Sequence, residues 1–237
     1  MMPPGDRRAS RHKARIGHQA EPTKSKRNAR MLHIYGRPNS LNVRKVLWLC
    51  EEIGLPFERS DWGRDHRPTS DPEFMRLSIY GVVPVIDDDG FILRESNTIL
   101  RYLCTKHGRA DLYPTDLKQR AIVEQWMDYG NTDLGTGMRP VFQGMVLGGK
   151  PMNLPEIVAW GAADWNKQMG RLDTHLQGGS PWLAGAAFTI ADIPAGLLVH
   201  RWMFIDFDKP RLPAVEAYYE RLSTRPAFMK HGRNGMP

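Results

Sequence analysis

Two stretches of this chain hold residues whose types and spacing suit chemistry. From Tyr80 to Leu100 it reads Tyr-Gly-Val-Val-Pro-Val-Ile-Asp-Asp-Asp-Gly-Phe-Ile-Leu-Arg-Glu-Ser-Asn-Thr-Ile-Leu. The pattern predicts a strand opened by Pro84, a tight turn, a second strand and a helix start at Glu95-Ser96. Free backbone groups along a strand and the N–H groups at a positive helix end would then lie side by side. That combination is suited to holding a small peptide that carries a carboxylate. Further upstream, Asn39, Ser40 and Asn42 follow the turn signal Gly36-Arg37-Pro38. By residue type alone, Ser40 and Asn42 read as helix caps. The only cysteines, Cys50 and Cys104, each sit inside an apolar helical pattern and read as buried packing thiols.

These residues need elements to position them. Leu32 to Tyr35 is expected to be a short strand. The helix that follows has Val43, Val46, Leu47, Leu49, Cys50 and Ile53 on its apolar face and stops at Gly54. Phe57 to Ser60 suits a second strand, and Asp71-Pro72 opens a short helix. Val83–Ile86 and Phe91–Leu93 pair as a hairpin around Asp87-Asp88-Asp89-Gly90, and Ser96 starts and caps a helix. Beyond Pro114 the pattern is helical. A helix from Leu117 to about Leu147 should be kinked at Pro140 and weakened by its glycines. Pro155 to Leu176 and Leu212 to Leu222 are further helices. Another is opened by a capping box between Thr189 and Asp192, with Phe188 and Ile193 as its staple. An α/β unit over residues 31–110 is thus followed by an all-helical unit over 117–230.

Composition narrows the function. The 237 residues carry a formal net charge of +7. Residues 1–30 contain nine Lys or Arg and two acids, which leaves 24 basic and 24 acidic residues in the rest. The excess charge is therefore confined to a tail without apolar periodicity, expected to be disordered. A neutral body argues against a nucleic-acid partner. No window approaches 18 consecutive apolar residues, so no membrane span is expected. Two buried thiols fit a reducing cytoplasm.

Taken together, Gly36-Arg37-Pro38-Asn39-Ser40-Leu41-Asn42-Val43-Arg44-Lys45-Val46, Gly81-Val82-Val83-Pro84, Glu95-Ser96-Asn97 and Phe188-Thr189-Ile190-Ala191-Asp192 resemble the cytosolic glutathione S-transferases. Within that superfamily the chain is most similar to bacterial theta- or nu-like members. The resemblance implies a thioredoxin-like N-terminal domain (βαβαββα) followed by an all-α C-terminal domain. It also implies a cis Val83-Pro84 peptide whose Val83 backbone pairs with the cysteinyl unit of glutathione. Ser96 would receive the γ-glutamyl carboxylate at a helix N-terminus, and Glu95 the γ-glutamyl ammonium. Ser40 stands where serine-type members place the hydroxyl that stabilises the glutathione thiolate. Asn42 is the amide that nu-like members use.

One departure stands out. Many relatives read Asn-Pro-x-Gly-Lys-Val-Pro, and here Val82 takes the place of the lysine that reaches the glycyl carboxylate. Arg64, His66 or Arg67 are the candidate replacements. Met138, Phe142 and Met145 are expected to line a second-substrate site between the domains, with Arg139 placed to orient an anionic electrophile. The expected protein is a cytoplasmic homodimeric transferase that uses glutathione as co-substrate, needs no metal, and attacks a small electrophile. A glutathione-dependent disulfide oxidoreductase or peroxidase, and a non-catalytic glutathione-binding protein on the same fold, are the alternatives.

Overall fold

The computed structural model describes residues 31–237, and the tail discussed above lies outside them. Strand β1 (Leu32–Tyr35) leads into helix α1 (Leu41–Glu52), then β2 (Phe57–Ser60) and α2 (Pro72–Leu77). The hairpin β3 (Val85–Asp88) and β4 (Phe91–Arg94) and helix α3 (Ser96–Lys106) complete the α/β unit. The sheet order is β2-β1-β3-β4, with β1 parallel to β2 and antiparallel to β3. This is the thioredoxin-like arrangement, and the helical unit follows it.

Local chemistry accounts for the element ends. Asp71 caps α2 by accepting from the Glu73 N–H at 2.8 Å, and Pro72 fills the first position, where no N–H is needed. In the hairpin Asp88 pairs with Phe91, leaving Asp89 and Gly90 as a two-residue loop. Both have positive φ, 54° and 90°, the backbone that this right-twisted turn demands. The Asp87 carboxylate accepts from the Gly90 N–H at 2.7 Å and closes it.

The helical unit consists of α4 (Leu117–Asn131), α5 (Asp133–Val141), a π-helical turn (Phe142–Val146), α6 (Pro155–Gln177), α7 (Asp192–Phe204), α8 (Pro213–Ser223) and α9 (Pro226–His231). The expected kink at Pro140 is not where the helix breaks. The interruption falls at Thr132 (φ −97°, ψ −74°), and Pro140 stays inside α5 with the π-helical turn just beyond. The glycines there serve contact. A Cβ on Gly137 would stand 2.5 Å from the Trp165 backbone nitrogen, and one on Gly161 2.9 Å from the Gly137 oxygen. Their absence lets α5 and α6 touch backbone to backbone.

Only the carboxylate half of the expected capping box forms: the Thr189 hydroxyl accepts from Ala191 N–H at 3.3 Å instead of from Asp192 N–H, and α7 begins at Asp192 with Ala191 as its N-cap. The Asp192 carboxylate accepts from Thr189 N–H at 2.9 Å, and also from Leu183 N–H at 3.1 Å and the Tyr218 hydroxyl at 2.9 Å. The short helix α9 escaped the sequence reading because six residues offer too little periodicity.

Helix α1 joins the two units. Trp48 is fully buried between Phe188 and Phe228, with ring centroids 5.9 and 4.9 Å away. At the end of α1, Glu52 accepts from both Trp48 Nε1 and the Arg225 guanidinium. The core is thus continuous from the sheet into the helical bundle.

Candidate active site

The N-termini of α1 and α3 meet. Ser40 is the N-cap of α1 by backbone geometry (φ −78°, ψ 125°), yet its side chain caps nothing. It is 8% exposed and turned toward a cleft of about 220 Å³. Asn42, one turn position further, is exposed at the cleft. Its Oδ1 accepts from the Ser96 hydroxyl at 3.4 Å, so the two helix starts are tied through these side chains.

Ser96 does not cap α3. It is the first helical residue, and Glu95 before it is the N-cap. Glu95 sits at φ 69°, ψ 106°, a left-handed backbone that costs a non-glycine residue of order 1 kcal/mol. Its exposed carboxylate pairs with Arg94 at 2.9 Å. The Val83–Pro84 peptide is cis. Pro84 is buried, and neither the N–H nor the C=O of Val83 takes a backbone partner among the described residues. The ladder begins two residues later than expected, at Val85.

Of the cations considered for the glycyl carboxylate, Arg64 lines the cleft. His66 is exposed and does not line it. Arg67 is already engaged with Glu73 at 2.6 Å and Asp71 at 3.4 Å, and stacks on Trp62 at 4.0 Å. Arg37, which the sequence reading did not single out, lines the cleft beside Arg64, and its Nε is buried without a partner.

The opposite wall comes from the helical unit. Met138, Arg139 and Phe142 line it, joined by Gln143 and Arg201. Met145 is exposed and takes no part. Two further cations were missed. Lys45 of α1 is 1% exposed, and burial pushes its ammonium down to about 8 despite Glu95 nearby. Arg201 of α7 is 3% exposed. Its guanidinium lies 3.8 Å over the Phe142 ring, 3.4 Å from Met138 Sδ and 3.2 Å from the Pro237 oxygen. A charge inside an apolar helical run was the available signal for both.

Both cysteines are buried and unpaired, and burial pushes each thiol up to about 12. Neither lines the cleft. Among the described residues, no group of three or more His, Cys, Asp or Glu side chains is placed to hold a metal ion. No helix among them is long and apolar enough to cross a membrane.

Comparison with known proteins identifies the family. The family model for the N-terminal domain of glutathione S-transferase matches residues 34–111. Glutathione S-transferase GstB of Escherichia coli K12 is 30% identical over 202 residues, 84% of this chain and 97% of that protein. The crystal structure of the theta class glutathione S-transferase from Xanthomonas axonopodis pv. citri with glutathione bound is 32% identical, with a TM-score of 0.81. That alignment covers 87% of this chain and 99% of the other. Transferase F7 from Populus trichocarpa is 26% identical, with a TM-score of 0.75. The fold and these matches define a transferase of the glutathione type. The chain belongs to the glutathione S-transferase family, on its theta-like bacterial side.

Proposed function

We propose that the chain binds glutathione across the two helix starts, holds it as the thiolate, and directs it at a small electrophile in the adjoining cleft. The observation that carries this reading is the free Ser40 hydroxyl at the positive end of α1, beside Asn42 and open to the cleft. A free thiol with a pKa near about 8.5 is mostly protonated at neutral pH. A hydroxyl donor, an amide donor and the helix end acting together favour the charged sulfur. Val83 would pair with the cysteinyl backbone, Pro84 would fix that edge, and Ser96 with the α3 N-terminus would hold the γ-glutamyl carboxylate. Glu95 would accept from the γ-glutamyl ammonium. Arg64, with Arg37 beside it at the cleft, would supply the cation for the glycyl carboxylate.

On this reading residues 31–110 form the glutathione-binding domain and 117–230 the domain carrying the second-substrate site. The protein works as a cytoplasmic homodimer. Attack of the thiolate forms the sulfur–carbon bond and expels the leaving group with its electron pair; proximity and the lowered thiol pKa supply the rate. The buried cysteines offer no reactive protein thiol, so any disulfide exchange would run through the glutathione thiolate itself.

Titration of bound glutathione by its ultraviolet thiolate absorbance tests the reading. The expected result is an apparent pKa about one to two units below that of the free thiol. A bound thiol that stays protonated at pH 7, with no turnover of halides, epoxides, peroxides or mixed disulfides, would overturn it.

A further inference from the structure

The cleft is lined by five cations, Arg37, Lys45, Arg64, Arg139 and Arg201, and by no acidic residue. Resting on the glutathione reading above, we infer that the second substrate is itself an anion, an electrophile bearing a carboxylate that Lys45 and Arg201 hold from the cleft floor with Arg139 at the rim.

The argument begins with the cost of the arrangement. Lys45 and Arg201 are almost fully buried, and buried charges are ordinarily paired. Lys45 makes no ion pair or hydrogen bond among the described residues. Arg201 meets a thioether, an aromatic face and the Pro237 oxygen, which it shares with Arg44, while its Nε has no partner. Burial is the main cause that lowers Lys45, Arg201 and Arg37. Repulsion from Arg201 adds to it at Lys45 against the pull of Glu95, repulsion from Arg44 and Arg64 adds to it at Arg201, and repulsion from Arg64 adds to it at Arg37 against the pull of Asp65. Such a cluster destabilises the empty protein and is relieved by an anion entering it.

Glutathione brings two carboxylates, but the groups suited to them lie elsewhere. Ser96 and the α3 N-terminus, proposed above for the γ-glutamyl end, do not line the cleft, and Arg64 with Arg37 stands on the loops of the α/β unit. Arg139 and Arg201 belong to α5 and α7, on the cleft wall that the helical unit supplies across from Ser40. Lys45 lies between. The Phe142 ring, stacked on Arg201, offers an apolar surface to the carbon skeleton while the guanidinium edge takes the charge.

The test uses the full-length protein and two electrophiles alike except for charge, 4-chloro-3,5-dinitrobenzoate and its carboxamide. In each case the sulfur of glutathione bonds to the ring carbon, chloride leaves with its electron pair, and the thiol proton passes to solvent. With each kcat/KM divided by the uncatalysed rate, the carboxylate is expected to exceed the carboxamide by about tenfold or more. Lys45→Met is expected to lower that ratio about tenfold. Arg139→Gln, at an exposed position that tolerates change, is expected to lower it about threefold. A wild-type ratio near one overturns the inference. So does a Lys45→Met loss that is equal for both electrophiles and tracks a raised KM for glutathione, since the lysine would then serve glutathione itself.

Calorimetric binding of the unreactive pair 3,5-dinitrobenzoate and 3,5-dinitrobenzamide to the glutathione-loaded protein reads the same preference without turnover; equal affinities overturn it. Selective carboxylate binding without thiolate formation would defeat the transferase reading alone. Thiolate formation without charge preference would defeat this inference alone.

Discussion

Ser40 and Asn42 compete for the same role, and their hydrogen bonds separate them. The Asn42 carbonyl oxygen is occupied by Ser96, which places this residue in the bond between the two helix starts. Ser40 has no side-chain partner in the helix it precedes. Removing a capping serine usually costs about 1 kcal/mol of stability, and here there is no cap to lose. Ser40→Ala is therefore expected to leave the melting temperature within a degree or two while raising the apparent pKa of bound glutathione by about one unit and lowering kcat/KM about tenfold to a hundredfold. Asn42→Ala is expected to act mainly on the KM for glutathione. A Ser40→Ala protein with unchanged thiolate pKa and rate would transfer the role to Asn42. Both residues were legible in the sequence because a strand, a Gly-Arg-Pro turn and a hydroxyl at a helix start form a local pattern. Lys45 and Arg201 were not. Helical periodicity places a residue on a face, but it does not say whether that face meets solvent, core or an internal cleft.

At the scale of elements, α7 shows how one buried group ties several segments. His200 is nearly inaccessible; its Nε2 donates to the Met236 carbonyl at 2.8 Å, which leaves Nδ1 to accept from the Tyr219 hydroxyl at 2.9 Å. Burial pushes the imidazole down to about 4, against the pull of the Met236 carbonyl and with added repulsion from Arg44, Arg201 and Arg233. In the unfolded chain this histidine takes up a proton below about 6.5, whereas the folded protein does so only near 4. Its contribution to stability is therefore complete above pH 6.5 and is lost as pH falls through 4, a swing of about 3 kcal/mol. Asp192 works the other way. Burial pushes its carboxyl up to about 6, so its contribution is present at low pH and lost as pH rises through 6. The comparison that isolates His200 is wild type against His200→Gln in urea denaturation at several pH values. The wild-type advantage at pH 7.5 is expected to shrink by about 2–3 kcal/mol at pH 4.5, and a constant difference would remove His200 as the source. Sequence pattern located α7 through its Thr189–Asp192 box, a local signal. It misplaced the break near residue 132 because Pro140 is a strong local cue, whereas the glycine contact of α5 with α6 is a tertiary one.

For the whole molecule, an apolar surface on the α/β unit is unexplained by internal packing. Ile79, Tyr80 and Val82, ahead of β3, are exposed, Ile79 by 75%, and Phe91 and Ile92 on the edge strand β4 are exposed as well. The two groups adjoin, since Arg94 of β4 stacks 3.7 Å over the Tyr80 ring. An apolar patch beside an unpaired strand edge is one that a stable soluble monomer ordinarily avoids. Val82, at the position to which the resemblance assigns a lysine, contributes apolar surface to it. This patch is consistent with the proposed homodimer, in which the first domain of one subunit would meet the helical domain of its partner. Ile79 makes little internal contact, so Ile79→Glu is expected to leave folding and the thiolate titration unaffected while placing a charge in the interface. Sedimentation equilibrium should show wild type as a dimer at micromolar concentration and the variant with a dissociation constant raised about a hundredfold, as a buried unpaired carboxylate requires. A wild-type protein that sediments as a monomer at those concentrations would leave the patch without a partner copy, and a variant that dimerises as tightly as wild type would place the two-fold axis elsewhere on the surface.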